Sequence, residues 1–192
     1  MHRPPDPEQP AALSWARAGS RSASASLPRT VLLRVLLLGV VLLGATLTPA
    51  AHALESLNSF PQSSLEIRTQ TGSQHYQIWV ADTQQRSEQG LMYVRSLPAD
   101  RGMLFPLGRP GAMSMWMKNT LIPLDMLFID VHGEIIYIRH NAKPESEAII
   151  TTPPMVVTPV KAVLELAGGE CERRHIEQGD WVIHFLFGPN AR

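Results

Sequence analysis

From Leu65 onward the apolar residues of this chain recur at every second position, in short segments punctuated by glycine and proline. A period of two puts alternate side chains on opposite faces of an extended backbone, so the pattern demands strands with at least one buried face. Leu65–Thr69 and His75–Val80 are predicted to pair through the turn Gln70-Thr-Gly-Ser73. Asp82 or Thr83 can cap a short helix that runs to Gln89 and stops at Gly90. Gly102–Phe105 and Ala112–Met117 read as strands, and Met126–Val131 and Glu134–Arg139 flank a tight His132-Gly133 turn. A connection over 141–159, broken by prolines at 144, 153, 154 and 159, has the length of a functional or unstructured loop. Val160–Leu166 and Trp181–Phe187 return to strand character. The expectation is a mainly β chain: a single compact antiparallel β-sandwich or barrel-like domain over 64–190, with one or two short helices and a flexible lead-in at 54–63.

The charge distribution is uneven. Five of the 17 basic residues (Arg3, Arg17, Arg21, Arg29 and Arg34) and two of the 17 acidic ones (Asp6 and Glu8) lie in the first 53 positions. Residues 54–192 therefore hold 12 lysines and arginines against 15 acids, an excess of three negative charges. Scattered bases with an acidic balance exclude an electrostatic footprint for nucleic acid. The single cysteine, Cys171, rules out a disulfide within the chain, so the domain must rest on its hydrophobic core. Glu170 and Glu172 flank that thiol and disfavour its thiolate, which points to a buried structural cysteine.

Ahead of the strands, Arg29 and Arg34 precede the apolar run Val35–Leu47, and Thr48-Pro-Ala-Ala-His-Ala53 follows it. A basic flank, an apolar stretch and small residues at Ala51 and Ala53 are the three parts of a secretory signal cleaved after Ala53. A spanning helix prefers about 20 apolar residues, so membrane attachment would require the signal to stay uncleaved. The absence of paired arginines favours the general secretion route, to the periplasm or the exterior. Residues 1–27 are a Pro, Ala, Ser and Arg mixture without periodicity, and translation starting near Leu27 or Val31 would account for them.

One stretch is distinctive as a string: Met115-Trp-Met-Lys-Asn-Thr-Leu-Ile-Pro-Leu-Asp-Met-Leu-Phe-Ile129. Arg86–Met92, Gly102–Phe105, Ala142-Lys-Pro144, Val163–Gly168 and Gly179-Asp180 accompany it in order. Together these segments closely resemble the prokaryotic family called domain of unknown function 192, over about residues 65–186. The resemblance implies a compact β-sandwich-like fold, often behind an export signal. It brings no established activity and no catalytic residues.

Candidate sites must then come from side-chain chemistry. Alternation puts Ser114, Trp116 and Lys118 on one face of the 112–117 segment and Met113, Met115 and Met117 on the other. Lys118 thus sits beside Trp116 at a strand end, followed by Asn119, Thr120 and the Pro123-Leu-Asp125 turn. An amine, an amide and a carboxylate gathered there suit an anionic or hydroxylated ligand, or acid and base work; equally, Asn119 and Asp125 can satisfy turn amides. Arg86 and Glu165 are further ligand-binding candidates that could converge on the same spot. Glu165 interrupts the apolar Val163–Leu166 strand, where a carboxylate is solvent-facing or paired, and an ion pair with Arg86 that pins helix to sheet is the favoured account. Met92, Met103, Met113, Met115, Met117 and Met126 admit a Cu(I) thioether site, but core filling is the simpler account. The histidines at 75, 132, 140, 175 and 184 fit no metal-ligand spacing, no catalytic triad motif is present, and no cofactor or metal is indicated. Two function classes remain. One is an exported, monomeric envelope module that binds a small molecule or an envelope protein through the strand-end cluster and the 141–159 loop. The other is a hydrolase or lyase acting on an envelope saccharide or peptide, with Lys118, Asp125 or Glu165 as acid and base. Without a nucleophile motif, binding is favoured.

Overall fold

The computed structural model describes residues 54–188. The leader and its cleavage after Ala53 lie outside the described residues.

Within that range the chain is mainly β, with one seven-stranded sheet and two short helices. Strand β1 (Gln62–Thr69) turns into β2 (Gly72–Val80), with Thr69 opposite Gly72 and Gln62 opposite Trp79. Helix α1 (Gln84–Gln89) follows, capped by Thr83 Oγ1, which accepts the Arg86 backbone N–H at 3.2 Å, and stopped by Gly90. Strand β3 (Arg101–Gly111) lies parallel to β2, which makes the sheet mixed where an all-antiparallel one was expected. The connection through α1 returns the chain to the same end of the sheet, and only a parallel neighbour can accept it there.

Strands β4 (Leu124–Ile129) and β5 (Ile135–Ala142) form a hairpin around Gly133, whose φ is +94°. Asp130 Oδ1 accepts the backbone N–H groups of His132 and Glu134 and so ties the turn. Strand β6 (Val160–Ala167) inserts between β3 and β4, helix α2 (Glu170–Arg174) follows, and β7 (Trp181–Ile183) adds to β1. The order is β5-β4-β6-β3-β2-β1-β7. Its two edges touch at one end, where Val182 N–H donates to Gly133 C=O at 2.7 Å and Ile135 N–H to Asp180 C=O at 2.9 Å. The sheet does not close further.

Two segments expected as strands differ. Ala112–Met117 makes no ladder beyond one bridge between Met115 and Ile150, yet its burial still alternates as its sequence does. Trp181–Phe187 is strand only to Ile183, because His184 Nδ1 accepts the Leu186 N–H at 3.3 Å and turns residues 185–187 into a 3₁₀ turn. The 54–63 lead-in lies against the domain: Glu55 N–H donates to Gln89 Oε1 at 2.7 Å, and Phe60 is buried.

Each face of the sheet carries its own apolar cluster. Ile67, Ile78, Leu104, Leu127, Leu164, Leu166 and Cys171 share one. Met103, Phe105, Met117, Met126, Phe128 and Val163 share the other. The alternation of β4 and β6 feeds both, which is why these two central strands read as nearly continuous apolar runs. Among the described residues no helix is long and apolar enough to cross a membrane.

Candidate functional site

The segment from Met113 to Thr120 lies over the methionine-bearing face, held by backbone bonds to the long loop. Met115 and Ile150 exchange bonds of 2.8 and 2.9 Å, Met117 N–H donates to Ser146 C=O at 3.0 Å, and Glu145 N–H to Thr120 C=O at 3.0 Å. Those bonds sink Met115 and Met117 into the core and leave Trp116 and Lys118 outside. The Lys118 ammonium stands 5.6 Å from the centre of the Trp116 ring, a cation–π distance. Between this segment and α1 runs a groove of about 350 Å³, lined by Phe105, Met113, Met115, Trp116 and Ile149, with Ser87 and Glu88 on the helical wall.

Asn119, at φ +56°, is spent on the turn: its C=O accepts the Tyr93 N–H at 2.9 Å and its Nδ2 reaches Met92 Sδ at 3.7 Å. Thr120 is buried, with Oγ1 donating to Lys118 C=O at 3.4 Å. Asp125 does not join them. It lies inside β4, not in a turn, on the sheet face opposite Met126, and its oxygens accept the backbone N–H groups of Asn141 at 2.8 Å and Cys171 at 2.9 Å. The strand-end cluster expected from the sequence therefore reduces to Trp116 and Lys118.

Glu165 and Arg86 do not meet either. Arg86 binds Glu55 Oε2 at 3.1 Å, Asp82 Oδ1 at 2.7 Å and the Ser59 carbonyl, with its guanidinium over the Phe60 ring. The lead-in supplies Glu55, Ser59 and Phe60 of those partners, which periodicity alone could not foresee. Glu165 is buried on the methionine face of β6, with Met103 and Met126 as its lateral neighbours on β3 and β4. Burial pushes its carboxyl up to about 8, with no hydrogen bond or opposite charge set against that shift. Trp79, paired with Met103 on β2, keeps its indole N–H buried without a partner among the described residues. Met103, Met117 and Met126 are fully enclosed in this apolar cluster, the environment of core filling.

On the other face the structure gathers three groups the sequence scattered. Asp125, His140 and Cys171 bring a carboxylate oxygen, an imidazole nitrogen and a thiol sulfur within 4.8 Å of one another. The hairpin register explains how. Arg139 faces Met126 and Ala142 faces Leu124, so His140 and Asn141 together oppose Asp125. This is a bulge, with Asn141 at φ +46°, and it keeps His140 on the Asp125 side. Gly168 then lets α2 close in: a Cβ there would stand 2.8 Å from Pro123 Cβ and 2.9 Å from Asn141 Oδ1, so any other residue would push Cys171 away. Burial first, and the adjoining Asp125 carboxylate next, push the Cys171 thiol far above its ordinary range. No motif spacing carries this group; the bulge that forms it depends on cross-strand register.

The sequence profile of the uncharacterized family DUF192, domain of unknown function 192, matches residues 66–184. No curated protein matches. A Sinorhizobium meliloti 1021 structure described as a "putative transcription regulator" is 40% identical, covers 65% of this chain and 95% of its own, and superposes with a TM-score of 0.61. A Novosphingobium aromaticivorans DSM 12444 protein of unknown function is 29% identical, covers 71% of this chain and 94% of its own, and has a TM-score of 0.63. The family signature around Trp116–Asp125, the matched span and these two folds agree, and the chain belongs to the domain of unknown function 192 family.

Proposed function

We propose that this chain is an exported envelope module that binds a small amphipathic molecule, with an apolar body in the groove beside Trp116 and an anionic end at Lys118. The groove carries the reading. Its volume of about 350 Å³ lies in the range of small-molecule sites, its lining is largely apolar, and the Lys118 ammonium stands 5.6 Å from the ring centre of Trp116, one of the lining residues. The 141–159 loop contributes Ile149 to the wall, which gives that long connection a role. Export rests on the arginine-flanked apolar run and Ala-His-Ala53, and intact-mass measurement on exported protein is expected to find a chain starting at Leu54.

The description of the Sinorhizobium protein suggests a nucleic-acid role. With 15 acids against 12 bases in residues 54–192, this chain is expected to bind DNA no better than a neutral control. An enzymatic reading draws on one observation, the Glu165 carboxyl raised to about 8, which suits a general acid near neutrality. Glu165 does not line the groove, so binding is the stronger reading.

The test uses anilinonaphthalene sulfonate, an aromatic body with an anionic end, titrated into the folded chain. Saturable binding that weakens in both Trp116→Ala and Lys118→Ala, with melting temperatures unchanged, supports the groove. Affinity unaltered by either substitution rejects it.

A further inference from the structure

We propose that Asp125, His140 and Cys171 form a three-ligand site for a transition-metal dication of the zinc type, with one coordination position open to the adjoining cavity. This site lies on the sheet face opposite the groove and does not depend on the ligand-binding reading.

The donor set selects the class of ion. Carboxylate oxygen, imidazole nitrogen and thiolate sulfur together suit zinc or its borderline neighbours, whereas magnesium and calcium take oxygen donors alone. The geometry is nearly closed: all three ligand atoms lie within 4.8 Å of one another. A tetrahedral zinc with bonds of about 2.0–2.3 Å needs its donors roughly 3.3–3.8 Å apart. His140 is exposed, so its ring can turn toward Asp125 and Cys171, which are buried.

The surroundings are those of a supported metal ligand set. Backbone N–H groups of Asn141 and Cys171 hold the two Asp125 oxygens at 2.8 and 2.9 Å, which orients the carboxylate and leaves a lone pair on each oxygen. Beside the trio opens a cavity of about 480 Å³, lined by His140, Cys171, His175 and Glu177 among others. Three protein ligands with a cavity on the fourth side is the arrangement of zinc sites that keep a position for water or substrate.

The rival use of a cysteine and histidine, a nucleophilic thiol, fits poorly. The Cys171 side chain is buried, and its neighbour in the trio is a carboxylate, Asp125, where an activated thiol would need a cation beside it. On binding, the S–H bond breaks, a sulfur–metal bond forms, and one proton leaves to solvent for each ion taken up.

The experiment uses the full chain, without a histidine tag and with its thiol reduced. Zinc stoichiometry by equilibrium dialysis, proton release by pH-indicator titration, and the near-ultraviolet thiolate-to-metal band with Co²⁺ are measured on the native chain and on His140→Ala. His140 is exposed, so this variant is expected to fold; Cys171→Ser is the second variant, and His75→Ala, on β2, the control. Expected are one zinc and one proton per chain, a thiolate band with Co²⁺, and affinity weakened more than about tenfold in His140→Ala but unchanged in His75→Ala. Failure to bind zinc stoichiometrically, a Co²⁺ spectrum without the thiolate band, or equal zinc affinity in His140→Ala would each overturn the proposal.

Discussion

Asp125 Oδ2 accepts the backbone N–H of Cys171 at 2.9 Å, joining the central strand β4 to helix α2 across 46 positions of chain. The same carboxylate holds Asn141 in the bulge of β5, so one buried side chain ties together two connections that share no ladder of their own. A residue on which two backbone amides depend, that of Cys171 buried and that of Asn141 partly so, is architecture first, whatever else it binds.

Asp125→Ala is accordingly expected to destabilise the domain by about 2–3 kcal/mol, since a hydrogen bond to a charged acceptor is worth roughly 1.5–3 kcal/mol and the Cys171 donor would be stranded in the interior, while that of Asn141 lies nearer the surface. Urea unfolding of the two chains measures this. A loss below about 1 kcal/mol would mean that the two amides find other partners.

Lys118→Ala should behave oppositely. Its ammonium makes one cation–π contact over an exposed indole and no ion pair among the described residues, an interaction worth about 0.5–1 kcal/mol at such sites. The melting temperature is expected to move by no more than a few degrees. A large drop would place Lys118 in the fold rather than at the groove rim.

The methionines separate by face and depth. Met117 is fully buried and Met113 only half-buried, so Met117→Ala is expected to cost about 2–5 kcal/mol and Met113→Ala clearly less. Equal losses from the two would show that the 112–117 segment does not pack as its alternation dictates.

That segment also shows what periodicity reports. Ala112–Met117 alternates faithfully, with Met115 and Met117 inside and Trp116 and Lys118 outside, yet it forms one bridge instead of a ladder. The pattern encodes which side meets the core, not which backbone pairs with it. For β1, β2, β4 and β5 the two coincide, and their turns at Gly72 and Gly133 were readable from the residues. The parallel placement of β3 beside β2, and of β6 between β3 and β4, depends on contacts far apart in sequence. For the same reason the sequence does not bring Asp125, His140 and Cys171 together, and it offers Arg86 as a partner for Glu165 where the lead-in residue Glu55 occupies it.

Glu165 offers the sharpest pH test. Its carboxyl titrates near 8 in the folded chain against an ordinary 4.5, with burial as the cause. The folded state therefore holds a proton that the unfolded state has released between those two values, and stability must fall as pH rises across that window. Its penalty is absent below about 4.5, grows through neutrality and is complete above about 8. Glu165→Gln keeps the shape and removes the charge, so its stability is expected to be flat where the native chain declines, and to exceed the native value at pH 8 by on the order of 2–4 kcal/mol. Because burial lowers the affinity of His184 for its proton, that group acts in the opposite sense on the acid side. The comparison is cleanest from pH 6.5 to 8, where an ordinary histidine is already neutral for the most part. Chemical unfolding at half-unit intervals on the native chain and Glu165→Gln measures both slopes. Parallel curves would show that Glu165 ionises as freely in the folded chain as in water, and that no buried neutral acid lies on the methionine face of the sheet.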